Sequence, residues 1–193
     1  MEGLKELAKE EGATLYMVLL AAFKELFSRY TGLDDIAIGT SIAGRKRQEI
    51  EGLVGFFVNF LVIRTDLGGN PTFRELLGRV KREVLGAYDH QDLPFEKMME
   101  EVGVERVPNR TPLFQILMVH QNAPMDKRIN LNELKLTNYA SEGKKTSNFD
   151  MTLFTWEAGG KLHGSIEYST ELFEAETIER MVQHYKDLLG VIL

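Results

Sequence analysis

The sequence predicts an α/β sandwich with two layers, and three observations support that prediction. Segments whose apolar residues recur at the helical period alternate with segments of strand period, without repeats or low-complexity tracts. One predicted strand, residues 56–65, is apolar on both faces, which is typical of a sheet interior covered on each side. With 193 residues and 44% hydrophobic content, the chain is long enough for one domain with a sizeable core.

The first half of the chain is predicted to form a helix followed by two strands. Thr14 can cap a helix that is apolar on one face, and Gly32 is placed to end it. Residues 35–43 then alternate as a strand with one apolar side. A polar loop over residues 44–55 leads into the strand at 56–65.

The second half is predicted to add three helices, a strand and a hairpin. Thr72 and Glu75 form a capping box at the start of one helix, and Pro94 fits the first turn of another. Gly159 and Gly160 can form the turn of the hairpin. In order, the predicted elements are a helix at residues 73–88, a helix at 95–102, a buried strand at 113–119, a flexible linker at 141–147, hairpin strands at 149–156 and 161–169, and a helix at 175–192.

The composition argues against several classes of function. The absence of cysteine excludes disulfides, a thiol nucleophile and cysteine-ligated metals, and it fits a reducing cytoplasm, where we expect the protein. A net charge of −6 argues against a nucleic-acid partner. Charged residues interrupt the apolar stretches within about ten residues, so we expect a soluble protein without a membrane partner.

The sequence also lacks the patterns of several common active sites. Its four histidines, His90, His120, His163 and His184, are isolated along the chain, so no metal site is expected. The glycines form neither a Walker loop nor a dinucleotide fingerprint. Spacing alone leaves a serine triad open, although no Gly-x-Ser-x-Gly elbow occurs. We therefore expect no bound cofactor on this chain.

Two separated segments mix strand-like apolar runs with small, polar and charged residues that burial alone does not require. Residues 36–64 read IAIGTSIAGRKRQEIEGLVGFFVNFLVIR, and residues 90–119 read HQDLPFEKMMEEVGVERVPNRTPLFQILMV. A third segment, residues 148–153, is similar to a Phe-Asp-x-x-Leu strand. Together they resemble the condensation domains of nonribosomal peptide synthetases, in family order from about Leu15 to the C-terminus.

The resemblance implies a chloramphenicol-acetyltransferase-like fold, of which this chain is one lobe only. The family carries a catalytic His-His-x-x-x-Asp-Gly motif in its first lobe, and the sequence does not contain it. Residues 1–193 are therefore interpreted as the C-terminal, acceptor-side lobe, which we expect to be inactive in isolation.

Within that lobe, residues 141–169 are interpreted as a linker and a hairpin that latches across to the first lobe. The alternative is an ordinary edge hairpin. In a lone lobe we expect the hairpin to expose apolar side chains and either to pair with a neighbouring chain or to fold back. The side chains expected there are Phe149, Met151, Leu153 and Leu162.

Arg45 is the candidate for a supporting role at the reaction site. It follows Gly44 at the end of a predicted buried strand, where an arginine can reach across a cleft. In the resembled family, the arginine of the Ala-Gly-Arg motif pairs with the aspartate of the catalytic motif on the opposite lobe. The alternative is a loop arginine that is satisfied by Glu49 or Glu51.

The resemblance also implies a substrate tunnel between the lobes. Asn59 is polar in an otherwise apolar strand, so its amide needs either a backbone partner or a ligand. The polar residues that follow the strand at 113–119 contact either a substrate amide or solvent. The residues assigned to the tunnel are Phe57, Asn59, Gln121, Asn122 and Asp150.

The function implied for the complete domain is peptide-bond formation. The amine of an acceptor aminoacyl thioester attacks the carbonyl of a donor thioester, and both substrates arrive on 4′-phosphopantetheine arms. The implied partners are the N-terminal lobe, the donor and acceptor peptidyl carrier proteins and an adjoining adenylation domain. Two alternatives stay open: a non-catalytic carrier-docking module or engineered subdomain, and the second half of an epimerisation or cyclisation domain.

Overall fold

The computed structural model of this protein describes residues 1–45, 48–103, 111–121 and 147–193, apart from the side chain of Glu51. Within these ranges the chain forms six helices and five strands. In chain order they are α1 Glu2–Glu10, α2 Leu15–Thr31, β1 Asp35–Ile42, α3 Gln48–Glu51, β2 Asn59–Asp66, α4 Phe73–Asp89, α5 Phe95–Val102, β3 Ile116–Gln121, β4 Met151–Ala158, β5 Lys161–Tyr168 and α6 Ala175–Val191.

The strands form one mixed sheet in the order β2-β1-β3-β4-β5. Strands β1, β3 and β4 are parallel to one another, whereas β2 and β5 run antiparallel to their neighbours. The three parallel strands therefore end at the same edge of the sheet, which we call the carboxyl edge. The main core lies between one face of this sheet and helices α1, α2, α4 and α6, which confirms the predicted α/β fold.

Helix α2 is buried on nearly all sides, so the prediction of a one-faced helix is wrong. Residues 16–24 are all buried, a run longer than two helical turns. The second face is covered by α1, whose Leu4, Leu7 and Ala8 are buried in the same core. The N-terminal sequence is amphipathic, but no local pattern in it predicts a helix that packs on α2.

The opposite face of the sheet carries a smaller aromatic cluster beside helix α5. Neighbouring rings in this cluster have centroids 5.4 to 6.3 Å apart, within the range of favourable aromatic pairs. Gly39 of β1 makes room for it, because a Cβ there would lie 2.2 Å from the Phe114 ring. The rings belong to Phe60, Phe95, Phe114 and Phe149.

Three strands begin later than the sequence predicts: β2, β3 and β4, the last of which begins at Met151 rather than Phe149. Strand β2 begins at Asn59 because its partner β1 ends at Ile42, which pairs with Asn59 and leaves residues 56–58 without a strand to join. Strand β3 begins at Ile116 rather than Leu113, because Leu113 has a φ of 71°, outside the strand region.

The predicted hairpin is part of the sheet, in which β4 is an interior strand and β5 is an edge strand. Its turn, Gly159 and Gly160, has positive φ at both residues, as a tight hairpin turn requires. Met151 and Leu153 are buried, so the expectation that they would be exposed is wrong: β4 is covered by the helix layer. Leu162 and Phe149 are partly buried against the two cores.

The proposed latch itself stays a prediction. Residues 141–146 of its linker lie outside the described residues. In this structure the strand leading into the turn contacts helix α1 of the same chain, since Lys5 forms an ion pair with Glu157 at 2.6 Å. Both side chains are solvent-exposed, so this pair adds little stability.

Lys24 is a fully buried cation on α2. Its Nζ donates to the backbone carbonyls of Ile36 on β1, at 2.7 Å, and Ile63 on β2, at 2.6 Å. Burial lowers the pKa of Lys24 from 10.5 to about 7, against the opposing effect of the Asp35 and Glu83 charges. One side chain thus joins the central helix to two neighbouring strands, and its protonation changes near neutral pH.

The free energy of unfolding should therefore rise with pH above neutrality. Between about pH 7 and 10.5 the unfolded chain binds a proton at Lys24 that the folded chain has lost, so raising the pH favours the folded state. Urea denaturation at several pH values between 7.5 and 9.5 should show a gain of about 2 kcal/mol relative to Lys24→Met, in which this proton is absent. Parallel profiles for the two proteins would contradict a depressed lysine pKa.

Candidate functional site

Four of the predicted site residues lie at the carboxyl edge. Arg45 follows the end of β1, and Asn59 begins β2 opposite Ile42. Phe57 lies two residues before Asn59, and Gln121 is the last residue of β3. Because β1 and β3 run parallel, their ends meet at this edge, the position where ligands bind in many open α/β sheets.

The guanidinium of Arg45 is held within its own loop. It donates a hydrogen bond to the carbonyl of Ile50 and lies over the ring of Phe57, with Cζ 4.2 Å from the ring centroid. A cation stacked on an aromatic face gains about 0.5 to 2 kcal/mol. The sequence analysis predicts neither contact: the partners expected for Arg45 are an aspartate of the other lobe or an acidic residue of the same loop. The stack holds the half-buried charge in a fixed place at the carboxyl edge.

Gly44 allows the backbone to turn close to Phe57. Its φ is +63°, in the left-handed region, and a Cβ there would lie 2.0 Å from the carbonyl oxygen of Phe57. Only glycine combines this conformation with so close a backbone approach. The Arg45 and Phe57 contact therefore depends on the absence of a side chain at position 44.

The amide of Asn59 is occupied by backbone partners. Its Nδ2 donates to the carbonyls of Gln91 at 3.0 Å and Leu93 at 2.8 Å, and its Oδ1 accepts from the amide of Phe95 at 3.1 Å. Phe95 is the first residue of α5, so Asn59 satisfies one of the free amides at that helix start. Of the two alternatives predicted for Asn59, the structure shows the backbone partner.

The remaining tunnel residues are not gathered at one place. Gln121 is exposed at the carboxyl edge, where it pairs with Trp156, and Asn122 lies outside the described residues. Asp150 lies six residues before Trp156, just before the start of β4. At about 3.3 Å per residue it is therefore roughly 20 Å from Gln121, at the end of the sheet opposite the carboxyl edge. The assignment of Gln121, Asn122 and Asp150 to a substrate tunnel stays a prediction.

A polar cavity of about 230 Å³ opens beside these residues on the helix face of the sheet. Its walls come from the ends of β1 and β3 and from helices α2 and α4, and they include Tyr16, Thr40, Tyr88 and His120. Of these four, sequence reasoning places only His120 near the tunnel. Tyr16 and Tyr88 belong to helical apolar patterns, so nothing in the sequence marks their hydroxyl groups.

The cavity is lined by neutral groups. Burial lowers the pKa of His120, against the weaker pull of Glu157, so the imidazole is neutral at pH 7. Its Nδ1 lies 2.9 Å from Oγ1 of Thr155. Burial raises the pKa of Tyr16 although Thr40 lies near enough to oppose it, and the buried Tyr16 hydroxyl has no hydrogen bond of normal geometry.

An exposed apolar loop adjoins the same edge. Between α3 and β2, four apolar side chains are solvent-exposed within six residues, with Phe56 88% exposed. Clusters of exposed apolar residues of this kind are typical of surfaces that bind a protein, a membrane or a ligand. We call this segment, residues 53–58, the apolar loop; its exposed residues are Leu53, Val54, Phe56 and Val58.

Neither metal binding nor membrane crossing is supported by the described residues. There, no group of three or more histidine, cysteine, aspartate or glutamate residues is placed to hold a metal ion. No helix of the described residues is both long and apolar enough to cross a bilayer.

The chain matches a family model and curated proteins over its whole length. The model described as Condensation domain matches residues 1–193. One component of the linear gramicidin synthase of Brevibacillus parabrevis is 50% identical over 194 residues, which cover 100% of this chain and 2% of that protein. Tyrocidine synthase 3 of the same organism is 40% identical over 189 residues, which cover 98% of this chain and 3% of that protein. The chain thus spans a small fraction of the length of these relatives.

Solved structures show the same fold. The X-domain from teicoplanin biosynthesis matches with a TM-score of 0.88 and 26% identity, over 98% of this chain and 43% of that one. A four-domain nonribosomal peptide synthetase bound to AMP and glycine matches with a TM-score of 0.87 and 26% identity, over 99% of this chain and 16% of that one.

The close approach at Gly44 predicts a site-specific cost of adding a methyl group. Gly44→Ala should lower the free energy of unfolding by about 2 kcal/mol, because alanine both disfavours a positive φ and collides with the Phe57 carbonyl. Gly52→Ala is the matched control, since it lies in the same loop with no atom within 4 Å of an added Cβ. Urea denaturation should show a change of no more than about 0.5 kcal/mol for the control. Equal effects of the two substitutions would contradict the close approach.

Proposed function

This chain belongs to the condensation-domain family, and from that membership we propose that it is the C-terminal, acceptor-side lobe of a peptide-bond-forming condensation domain. The observation that carries the proposal is the exposed apolar loop beside Arg45 at the carboxyl edge. A second lobe that covers this edge would bury the apolar loop and bring its own groups to Arg45. The alignment with only 43% of the X-domain chain, and the absence of a His-His-x-x-x-Asp-Gly motif from the sequence, support the same assignment.

The proposed reaction is an acyl transfer between two tethered substrates. The amine nitrogen of the acceptor aminoacyl thioester attacks the carbonyl carbon of the donor thioester. The new carbon–nitrogen bond forms, the carbon–sulfur bond breaks, and the proton lost by nitrogen ends on the sulfur of the released donor arm. The two phosphopantetheine arms are substrates delivered by donor and acceptor carrier proteins, and an adenylation domain adjoins. The absence of cysteine is consistent with an assembly in the cytoplasm.

In this proposal the chain contributes positioning rather than a nucleophile or a base. Holding two reactants in a productive geometry supplies a large part of the rate of such transfers. Arg45, fixed on Phe57, would orient the aspartate of the first-lobe motif by an ion pair. Once the first lobe covers the pair, removing the arginine would leave a buried carboxylate unpaired, at a cost of roughly 3–5 kcal/mol.

A second candidate is a docking module without catalysis. The observation that favours it is the match to an X-domain solved in complex with OxyB, with a TM-score of 0.85 and 26% identity over 98% of this chain. In that case the carboxyl edge would bind another protein without forming product.

Amide formation distinguishes the two candidates. We would mix donor and acceptor carriers, loaded with their aminoacyl groups, with this chain alone or with a condensation-domain first lobe that carries the histidine motif, and detect product by mass spectrometry. The chain alone should give no product above the uncatalysed background, and the two lobes together should. Product from the chain alone, or binding of the first lobe without product, would overturn the catalytic proposal.

Arg45 can be tested in the same assay. Arg45→Ala should lower the rate of the paired lobes by about tenfold or more, because the aspartate of the motif loses its partner. Arg64→Ala is the matched control: Arg64 is exposed and pairs with Asp35 at the far end of β1, away from the carboxyl edge. Equal rates for the two variants would show that Arg45 does not act across the lobes.

A further inference from the structure

The polar cavity at the carboxyl edge holds a buried hydroxyl group that lacks a hydrogen bond of normal geometry. Tyr16 is 9% exposed, and Thr40 lies beside its hydroxyl without completing such a bond. Leaving a buried hydroxyl unpaired costs about 1–3 kcal/mol. The hydroxyl lines a cavity of about 230 Å³, enough for several water molecules or for one small polar group. Ala43 lines the same cavity two residues before Arg45, so the cavity adjoins the proposed reaction edge.

The hydrogen bonds of His120 define the second polar group of this cavity. Nδ1 of His120 lies 2.9 Å from Oγ1 of Thr155, so one hydrogen bond joins these two groups, and the histidine tautomer decides which of them donates. The other ring nitrogen, Nε2, accepts in one neutral tautomer and donates in the other. The cavity therefore offers two neutral hydrogen-bonding side chains, the Tyr16 hydroxyl and the His120 imidazole.

The chemistry of the lining narrows the class of ligand. A carboxylate or phosphate would meet no lysine or arginine among the described lining residues, and an ammonium group would meet no carboxylate. An isolated charge in such a site loses its hydration without compensation. An apolar group would leave the Tyr16 hydroxyl unpaired. A carboxamide is neutral, and it both donates through its NH₂ group and accepts through its oxygen.

We propose that this cavity binds a carboxamide group, with the Tyr16 hydroxyl and the His120 imidazole as the hydrogen-bonding partners of its oxygen and nitrogen. Resting on the proposed function, the natural source of this group is the side chain of the aminoacyl substrate, and the cavity selects a neutral amide side chain over an acidic or basic one. The secondary amides of a phosphopantetheine arm are the other source of the same chemistry.

A binding experiment with small probes tests the cavity independently of catalysis. Butyramide, butyrate and butylammonium have hydrocarbon stems of similar size and differ in the head group. Each would be titrated into the ¹⁵N-labelled chain, with amide resonances followed by NMR. Butyramide should shift the resonances of Tyr16, Thr40 and His120, and the two charged probes should not. Equal shifts from all three probes, or none from butyramide as in a cavity that holds water only, would overturn the proposal.

Variants assign the binding to the named groups. Tyr16→Phe should weaken butyramide binding by about fivefold, because one hydrogen bond to the probe is lost. In the free protein this substitution removes no hydrogen bond of normal geometry. Tyr30→Phe is the control, because that hydroxyl bonds His184 at the protein surface. Equal affinities for Tyr16→Phe and Tyr30→Phe would show that butyramide binds elsewhere.

Further probes separate the two sources. In the binding experiment, pantetheine should leave the cavity resonances unshifted if the side chain is the ligand. With the two lobes together, an asparaginyl acceptor should be used faster than an aspartyl one, and Tyr16→Phe should reduce that preference. Butyramide binding without amide formation would retain the cavity proposal and reject the proposed function. Amide formation without butyramide binding would retain the proposed function and reject the cavity proposal.

Discussion

The burial of helix α2 is the constraint on which the rest of the structure depends. Helix α2 packs against β1 and against α1, α4 and α6, and polar contacts fix it in position as well as apolar ones. Lys24 reaches the carbonyls of two strands, and the hydroxyl of Tyr185 on α6 donates to the carbonyl of Leu19 at 2.9 Å. A helix held in this way has little freedom to rotate or slide. It therefore sets where β1 and β2 lie, and it brings Tyr16 of its first turn to the cavity at the carboxyl edge.

The carboxyl edge combines a fixed part with an uncovered part. The fixed part is a set of tight contacts: Gly44 against the Phe57 carbonyl, Arg45 on the Phe57 ring, and Asn59 on the backbone before α5. The uncovered part is the apolar loop, which is exposed in this chain. In the proposed function, the fixed contacts would position substrates beside the apolar surface that a first lobe would bury.

Local sequence patterns predict most elements but not their tertiary environment. The capping box at Thr72 and the two glycines of the hairpin turn mark features that are set by a few neighbouring residues, and these predictions are confirmed. The burial of α2 depends on a helix that packs on it from elsewhere in the chain. The position of Asp150 depends on strand order and register, which no local pattern encodes. The partners of Asn59 and the unpaired hydroxyl of Tyr16 are likewise visible only once distant segments are brought together.

Hydrogen exchange tests most directly the central claim that the carboxyl edge is the surface that engages a first lobe. Backbone amides of this chain would be measured alone and with a condensation-domain first lobe that carries the histidine motif. With the first lobe bound, exchange should slow by about tenfold or more in the apolar loop, residues 53–58, and at residues 43–45, while α1 and α6 are unchanged. Unchanged exchange in the apolar loop, or protection confined to α6 and the β5 edge, would contradict this claim.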